Sequence, residues 1–195
     1  MGIGKSPQES LEKGIEMASK ALAMDDSIST AHGLLSHLYI STREYDKAIA
    51  EAERALALDP GGAFAHQWYA ESLNAAGRPD EAIPIFQKAI RLDPVGPSIL
   101  YNGFGDALEN AGRFEEAVLA YKKALQRAPD NFFAHIGLTA TYSQMGQEKE
   151  ARAQAKEFLR LNPKFSLEGY AKMIRGKDQA KTDRYIDALR KAGLK

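Results

Sequence analysis

Cysteine is absent from the 195 residues, which excludes disulfides, thiolate metal sites and cysteine nucleophiles and leaves the redox compartment open. An excess of charge of either sign is absent too. Lys plus Arg and Asp plus Glu number 26 each, so no global field concentrates nucleic acid or an anionic membrane, and neither is expected as a partner. No apolar run approaches the roughly 18 residues that span a bilayer, and the first residues lack the apolar core of a signal peptide. The expected location is cytoplasmic. No serine-histidine-acid or paired-carboxylate constellation stands out, so the chain reads as a non-enzyme with no catalytic, cofactor-binding or metal site.

What is present is a period. The stretch from Ala63 to Pro94 reads as two helices around a Gly77-Arg78-Pro79 turn. Tyr69, Ala70 and Leu73 share one face, and Ala82, Phe86 and Ala89 share another, at helical spacings of three and four. Leu92-Asp93-Pro94 closes the unit, because proline disfavours helical geometry in the residue before it. The same punctuation recurs at Pro60, Pro129 and Pro163, giving steps of 34, 35 and 34 residues. A period in that range marks a stacked repeat protein, and 44% hydrophobic content supplies one continuous core. The expected fold is all-α: a right-handed solenoid of helix-turn-helix repeats with capping helices at both ends.

Divided in order, residues 1–28 form an N-terminal helix, 29–62, 63–97, 98–131 and 132–165 form four repeats, and 166–195 form C-terminal capping helices. Gly4-Lys5-Ser6 resembles the tail of a phosphate-binding loop but lacks the earlier glycine and the preceding strand. Gly2 to Ser6 also fits the permissive myristoylation pattern. Ser6, Pro7 and Glu9 are better placed as N-cap, first turn and capping box of a helix reaching about Met24. Its stripe is Leu11, Ile15, Ala18, Ala21 and Leu22. It looks like the second helix of a repeat whose first helix is missing, either a short cap or the cut edge of a longer protein. An uncovered row of this kind predicts weak homodimerisation through the N-terminal helix. Thr42-Arg43-Glu44 replaces the glycine turn of the first repeat, and Pro84 predicts a kink in the second.

The third repeat carries Tyr101, Phe104, Gly105, Leu108, Ala117, Tyr121 and Pro129. These match W-x2-L-G-x2-Y, then A-x3-F, then P, so the chain resembles the tetratricopeptide repeat (TPR) family. Histidine or tyrosine replaces the first tryptophan, and alanine replaces the second-helix aromatic at Ala52 and Ala155. Looser packing is expected in the first and fourth repeats. The tail reads as a helix from Ser166 to about Ile174, then one capped by Asp178 and Gly193 and carrying Tyr185, Ile186 and Leu189 over the end of the fourth repeat. LRLNPKFSLE, a Lys177-Asp178 helix start and a closing ALRKAGL together resemble the C-terminal repeat region of bacterial class III adenylate/guanylate cyclases. That resemblance implies a regulatory or docking segment, with nothing matching the cyclase domain itself.

His32, His66 and His135 occupy one repeat position. Adjacent first helices lie roughly 10 Å apart, too far to share an ion whose ligands sit at about 2 Å, so they are read as packing residues. First helices line the concave side of such a solenoid. The residues free of packing are His37 and Ile40 in the first repeat, and Phe64, Gln67, Glu71 and Asn74 in the second. Ile99, Asn102, Asp106 and Glu109 follow in the third, and Phe133 and Ile136 in the fourth. None of these helices carries lysine or arginine, which disfavours the carboxylate clamp of chaperone adaptors. The expected function is a protein-interaction scaffold that binds a peptide or protein segment in a polar to mildly acidic groove, with the regulatory region of a cyclase as its narrower form. A stand-alone adaptor or co-chaperone is one alternative, and a cyclase fragment acting in cis is another.

Overall fold

A computed structural model describes residues 7–174 and 177–195. The expected start at Ser6, the Gly4-Lys5-Ser6 decoy and the Gly2 pattern lie outside the described residues. Within them the backbone forms eleven α-helices and no strand: α1 (Pro7–Met24), α2 (Ser29–Ser41), α3 (Tyr45–Leu58), α4 (Ala63–Ala75), α5 (Pro79–Leu92), α6 (Ser98–Asn110), α7 (Phe114–Arg127), α8 (Phe132–Gln144), α9 (Glu148–Leu161), α10 (Leu167–Ala171) and α11 (Gln179–Lys191). Each first helix, α2, α4, α6 or α8, packs on its own second helix and on the second helix before it. Successive first helices also touch one another, as a right-handed α-solenoid requires.

The turns show why the period holds. In all four repeats the residue after the C-cap has positive φ, and the next N–H reaches back to the carbonyl five residues earlier, as in Arg78 to Leu73 at 2.9 Å and Arg113 to Leu108 at 2.8 Å. That pair of bonds closes the orphan carbonyls of a helix end and demands left-handed backbone. Glycine supplies it at Gly77, Gly112 and Gly146, while Arg43 adopts φ 64° in the first repeat. The missing glycine is therefore tolerated by strain rather than by a different turn. α5 runs unbroken through Pro84, which is exposed.

Burial follows the stripes read from sequence. Ala82, Phe86 and Ala89 of α5 and Ala117, Tyr121 and Ala124 of α7 are fully buried in one cluster with Leu73, Leu100 and Leu108. Glycine lets the helices close on those rings. A Cβ on Gly105 or Gly137 would lie 2.7 or 2.5 Å from the Tyr121 ring. In the first repeat Gly33 plays this part against Trp68 of α4, 2.2 Å from where its Cβ would be. The fourth repeat departs from the expectation of loose packing. Ala155 does stand in the aromatic place, but Phe158, one turn later, is fully buried and meets Phe132 and Phe165 at centroid distances of 5.0 and 4.8 Å.

At the N-terminal end, α1 packs on α2 as a second helix would. Ala18 is buried and Leu11, Ile15 and Leu22 are half-buried, whereas Ala21 is exposed. The large exposed apolar side chains of α1 are instead Met17 and Met24.

The C-terminal segment is where the architecture departs from a simple cap. α10 is shorter than expected and starts with Ser166 Oγ accepting from Gly169 N; α11 starts with Asp178 accepting from Lys181 N and ends before Gly193 at φ 104°. α11 packs against α8, a first helix, and so lies on the concave side. Its Ala188 and Leu189, with Ala192 and Leu194, share a buried cluster with Ile136, Ala140, Ala155 and Phe158. Leu167 N donates to Lys195 O at 2.7 Å, which ties the end of the chain to the start of α10.

Candidate functional site

The concave face and the C-terminal segment enclose a cavity of about 520 Å³. α2 contributes His37, Ile40 and Ser41; α4 contributes Glu71 and Asn74; α6 contributes Ile99, Asn102, Asp106 and Glu109; and α8 contributes Phe133. The other wall comes from the tail: Tyr170, Ile174, Lys177, Lys181, Thr182 and Tyr185. Nine of the twelve groove residues expected from sequence are thus brought together.

The remaining three lie outside the cavity, and two of them, Gln67 and Ile136, are buried. Phe64 is exposed outside the cavity, with its ring 6.1 Å from Trp68. Gln67 is buried and donates to Glu71 Oε1 at 2.8 Å, so it positions an acid rather than facing a partner. Ile136 is 1% exposed, because α11 lies over it. The groove is also not free of cations, since Lys177 and Lys181 enter it from the tail. Sequence reasoning missed this wall by assigning α11 only to the end of the solenoid. A signal was present: Lys181, Tyr185, Ala188 and Ala192 lie on one stripe of α11, polar at its start and apolar at its end, as a helix bridging a wet cavity and a dry core would be.

Glu71, Asp106 and Glu109 form the floor. Glu71 Oε2 lies 2.8 Å from His37 Nε2. Burial works against a charged imidazole there, but the contact with Glu71 and its charge outweigh it and raise the His37 pKa. Asp106 and Glu109 stand one helical turn apart and both reach the fully buried Tyr121, at 2.7 and 2.9 Å from its hydroxyl. A phenol has one proton to give. The second short contact is therefore closed by a proton on one of the carboxyls. Burial acts in the same direction: it pushes Asp106 up to about 7, and burial with the neighbouring Asp106 charge pushes Glu109 up to about 8. Gln144 of α8 donates to Glu109, and Asn102 Nδ2 donates to Asp106 Oδ2 at 3.1 Å. Tyr185 and Tyr170 sit close enough that the two carboxylates raise their pKa values, though burial is the larger cause.

The histidines expected to pack do so, each with at least one ring nitrogen occupied. His32 meets Glu51 at 2.6 Å and Asp26 O at 3.1 Å, His66 meets Gly62 O at 2.9 Å, and His135 meets Pro129 O at 2.8 Å. Among the described residues no group of three or more His, Asp or Glu side chains is placed to hold a metal ion.

Models of the tetratricopeptide repeat match residues 34–97 and 108–168, together well over half of the chain. The chain belongs to the tetratricopeptide repeat family. Solved structures place it among other TPR proteins. It is similar to PilW, described as a widely conserved type IV pilus biogenesis factor, at 22% identity over 95% of this chain and 84% of that one, with a TM-score of 0.74. It is similar to TTC0263, a thermophilic TPR protein of Thermus thermophilus, at 20% identity over 92% and 91% of the two chains, TM-score 0.72. YrrB, described as a TPR protein with an unusual peptide-binding site, aligns at 21% identity over 91% of each chain, TM-score 0.59. At these identities the likeness establishes the fold. No functionally curated protein matches the chain. Among the described residues of this TPR chain no helix is long and apolar enough to cross a membrane.

Proposed function

We propose that this TPR chain is a protein-interaction scaffold that receives a segment of another polypeptide along its concave face. The observation that carries this reading is a register of exposed apolar side chains. Phe64, Ile99 and Phe133 each occupy the second position of a first helix, in α4, α6 and α8. All three are about half exposed, at 51, 48 and 54%. A soluble monomer seldom aligns large exposed apolar groups without a use for them. First helices are about 10 Å apart, and a polyproline II segment repeats every three residues at about 3.1 Å per residue, so apolar side chains three residues apart would lie on one face and meet successive members of the row.

Display of random twelve-residue peptides against the chain tests the proposal. Binders with apolar residues at that spacing, lost on Ile99→Asp or Phe133→Asp in a folded variant, are expected. Failure to enrich any sequence, or binders indifferent to both substitutions, would overturn it. The resemblance of the tail motif to the repeat region of class III cyclases is the ground for a narrower proposal, that the segment belongs to a cyclase domain on the same or another polypeptide. Weak self-association through α1 belongs with these proposals, and sedimentation of Ile15→Glu against the unaltered chain is its test.

A further inference from the structure

The cavity floor is built almost wholly of acceptors. Asn102 is 7% exposed, lines the cavity, donates from Nδ2 to Asp106, and leaves its buried Oδ1 without a partner. Beside it are the carboxylates of Glu71, Asp106 and Glu109. Their surroundings supply neutral donors, Gln67, Tyr121 and Gln144, and the imidazole of His37. Among the described residues no lysine or arginine pairs with Asp106 or Glu109; of the two lysines at the rim, Lys177 and Lys181, the latter donates to Asn110 O at 3.0 Å. The tail adds the rings of Tyr170 and Tyr185 to this space, and α8 adds that of Phe133. A buried acceptor with no donor, acids that no lysine or arginine among the described residues pairs with, and aromatic walls share one complement, an organic cation.

We propose that this cavity receives the cationic side chain, guanidinium or ammonium, of the polypeptide segment bound in the groove. This rests on the reading of the groove as a peptide site and names the chemistry that the segment must carry. Glu71 and Asp106 offer the charge, Asn102 Oδ1 an additional acceptor, and Phe133 with the two tyrosines the flanking surface. Ile99, in the same cavity wall, takes a neighbouring apolar side chain.

Binding is coupled to protons. The carboxyl proton that closes the Tyr121 contacts is expelled when a cation enters, so occupancy grows as pH rises. Among the described residues the other titratable groups around this space are His37 from α2, Glu71 from α4, Tyr121 from α7, Tyr170 from α10, and Lys177, Asp178, Lys181 and Tyr185 from the tail. Of these, His37 also loses charge as pH rises, which removes a competitor for Glu71 and acts in the same direction.

The test uses the whole chain and three probes: N-acetyl-arginine amide, its lysine counterpart, and neutral N-acetyl-citrulline amide, followed by NMR at the Asn102 side-chain amide. Saturable binding of both cations is expected, in the millimolar range typical of so small a ligand, about 1–10 mM. Citrulline should bind at least about tenfold more weakly, as should the cations to Asp106→Asn/Glu109→Gln. Calorimetry in two buffers at pH 7 should show proton release. Equal binding of citrulline, or cation binding unaltered by the double substitution, or no saturation, would overturn the inference. The citrulline comparison needs no variant, so a misfolded mutant cannot rescue or sink it. Displayed peptides that bind yet tolerate arginine-to-citrulline replacement would leave the groove reading standing and this inference overturned; amides that bind where no peptide does would give the reverse.

Discussion

The second helices of the first and third repeats, α3 and α7, carry one pattern with one difference. α3 buries Ala48, Ala52 and Ala55, and α7 buries Ala117, Tyr121 and Ala124, all of them fully. The alanine in the aromatic place leaves the first repeat to be filled from outside, by Trp68 of the next repeat lying on Gly33. The tyrosine in α7 does three things at once: it fills the core, it sits between Gly105 and Gly137, and its hydroxyl reaches two acids of the cavity. The tyrosine at this position thus joins the core of the third repeat to the acids of the cavity, a link that the alanine of the first repeat cannot make. The large contiguous core runs from α4 to α8 accordingly, with the first repeat touching it through Ile49.

The largest test of this difference is Tyr121→Ala, which should cost about 3–5 kcal/mol by lost burial and cavity formation, against about 1 kcal/mol for Ala52→Gly through helix propensity. Urea denaturation measures both, and equal losses would break the comparison. Next come the glycines. Gly137→Ala and Gly33→Ala each force a ring to move and should cost about 1–3 kcal/mol. Gly137→Ala should be the worse, because the Tyr121 ring is fully enclosed whereas Trp68 is half-buried.

A pH series sharpens the contrast without touching the packing. Asp106 and Glu109 hold their protons more tightly folded than unfolded, so their stabilising contribution is complete below the ordinary carboxylate value of about 4. It is lost as pH rises through about 7 and about 8. The melting temperature should fall over that window, and Asp106→Asn/Glu109→Gln should flatten the fall. A slope unchanged in that variant would place the proton elsewhere. The smallest effect belongs to the first repeat: Arg43→Gly relieves the φ of 64° and should stabilise by about 0.5–1 kcal/mol in thermal unfolding, while Gly112→Arg in the third should destabilise by a similar amount.

The sequence by itself determined the repeats. Their period, the Gly77, Gly112 and Gly146 turns, the alanine-aromatic stripes and the caps at Asp178 and Gly193 are all local, and a helix-turn-helix unit contacts chiefly its neighbours. Nine of the candidate groove residues were legible for the same reason, since position within a repeat fixes which face a side chain takes. What only the tertiary structure decided was the path of the tail. Whether α11 stacks beyond the fourth repeat or folds back across α8 turns on the shape of the apolar patch left by Ile136, Ala140 and Phe158, which no local pattern records. Its path buried Ile136, brought Tyr170, Tyr185 and Lys181 to the cavity, and enclosed the carboxyls of Asp106 and Glu109. Enclosure raised their pKa values, because a charge removed from water is costly wherever the chain that removes it comes from.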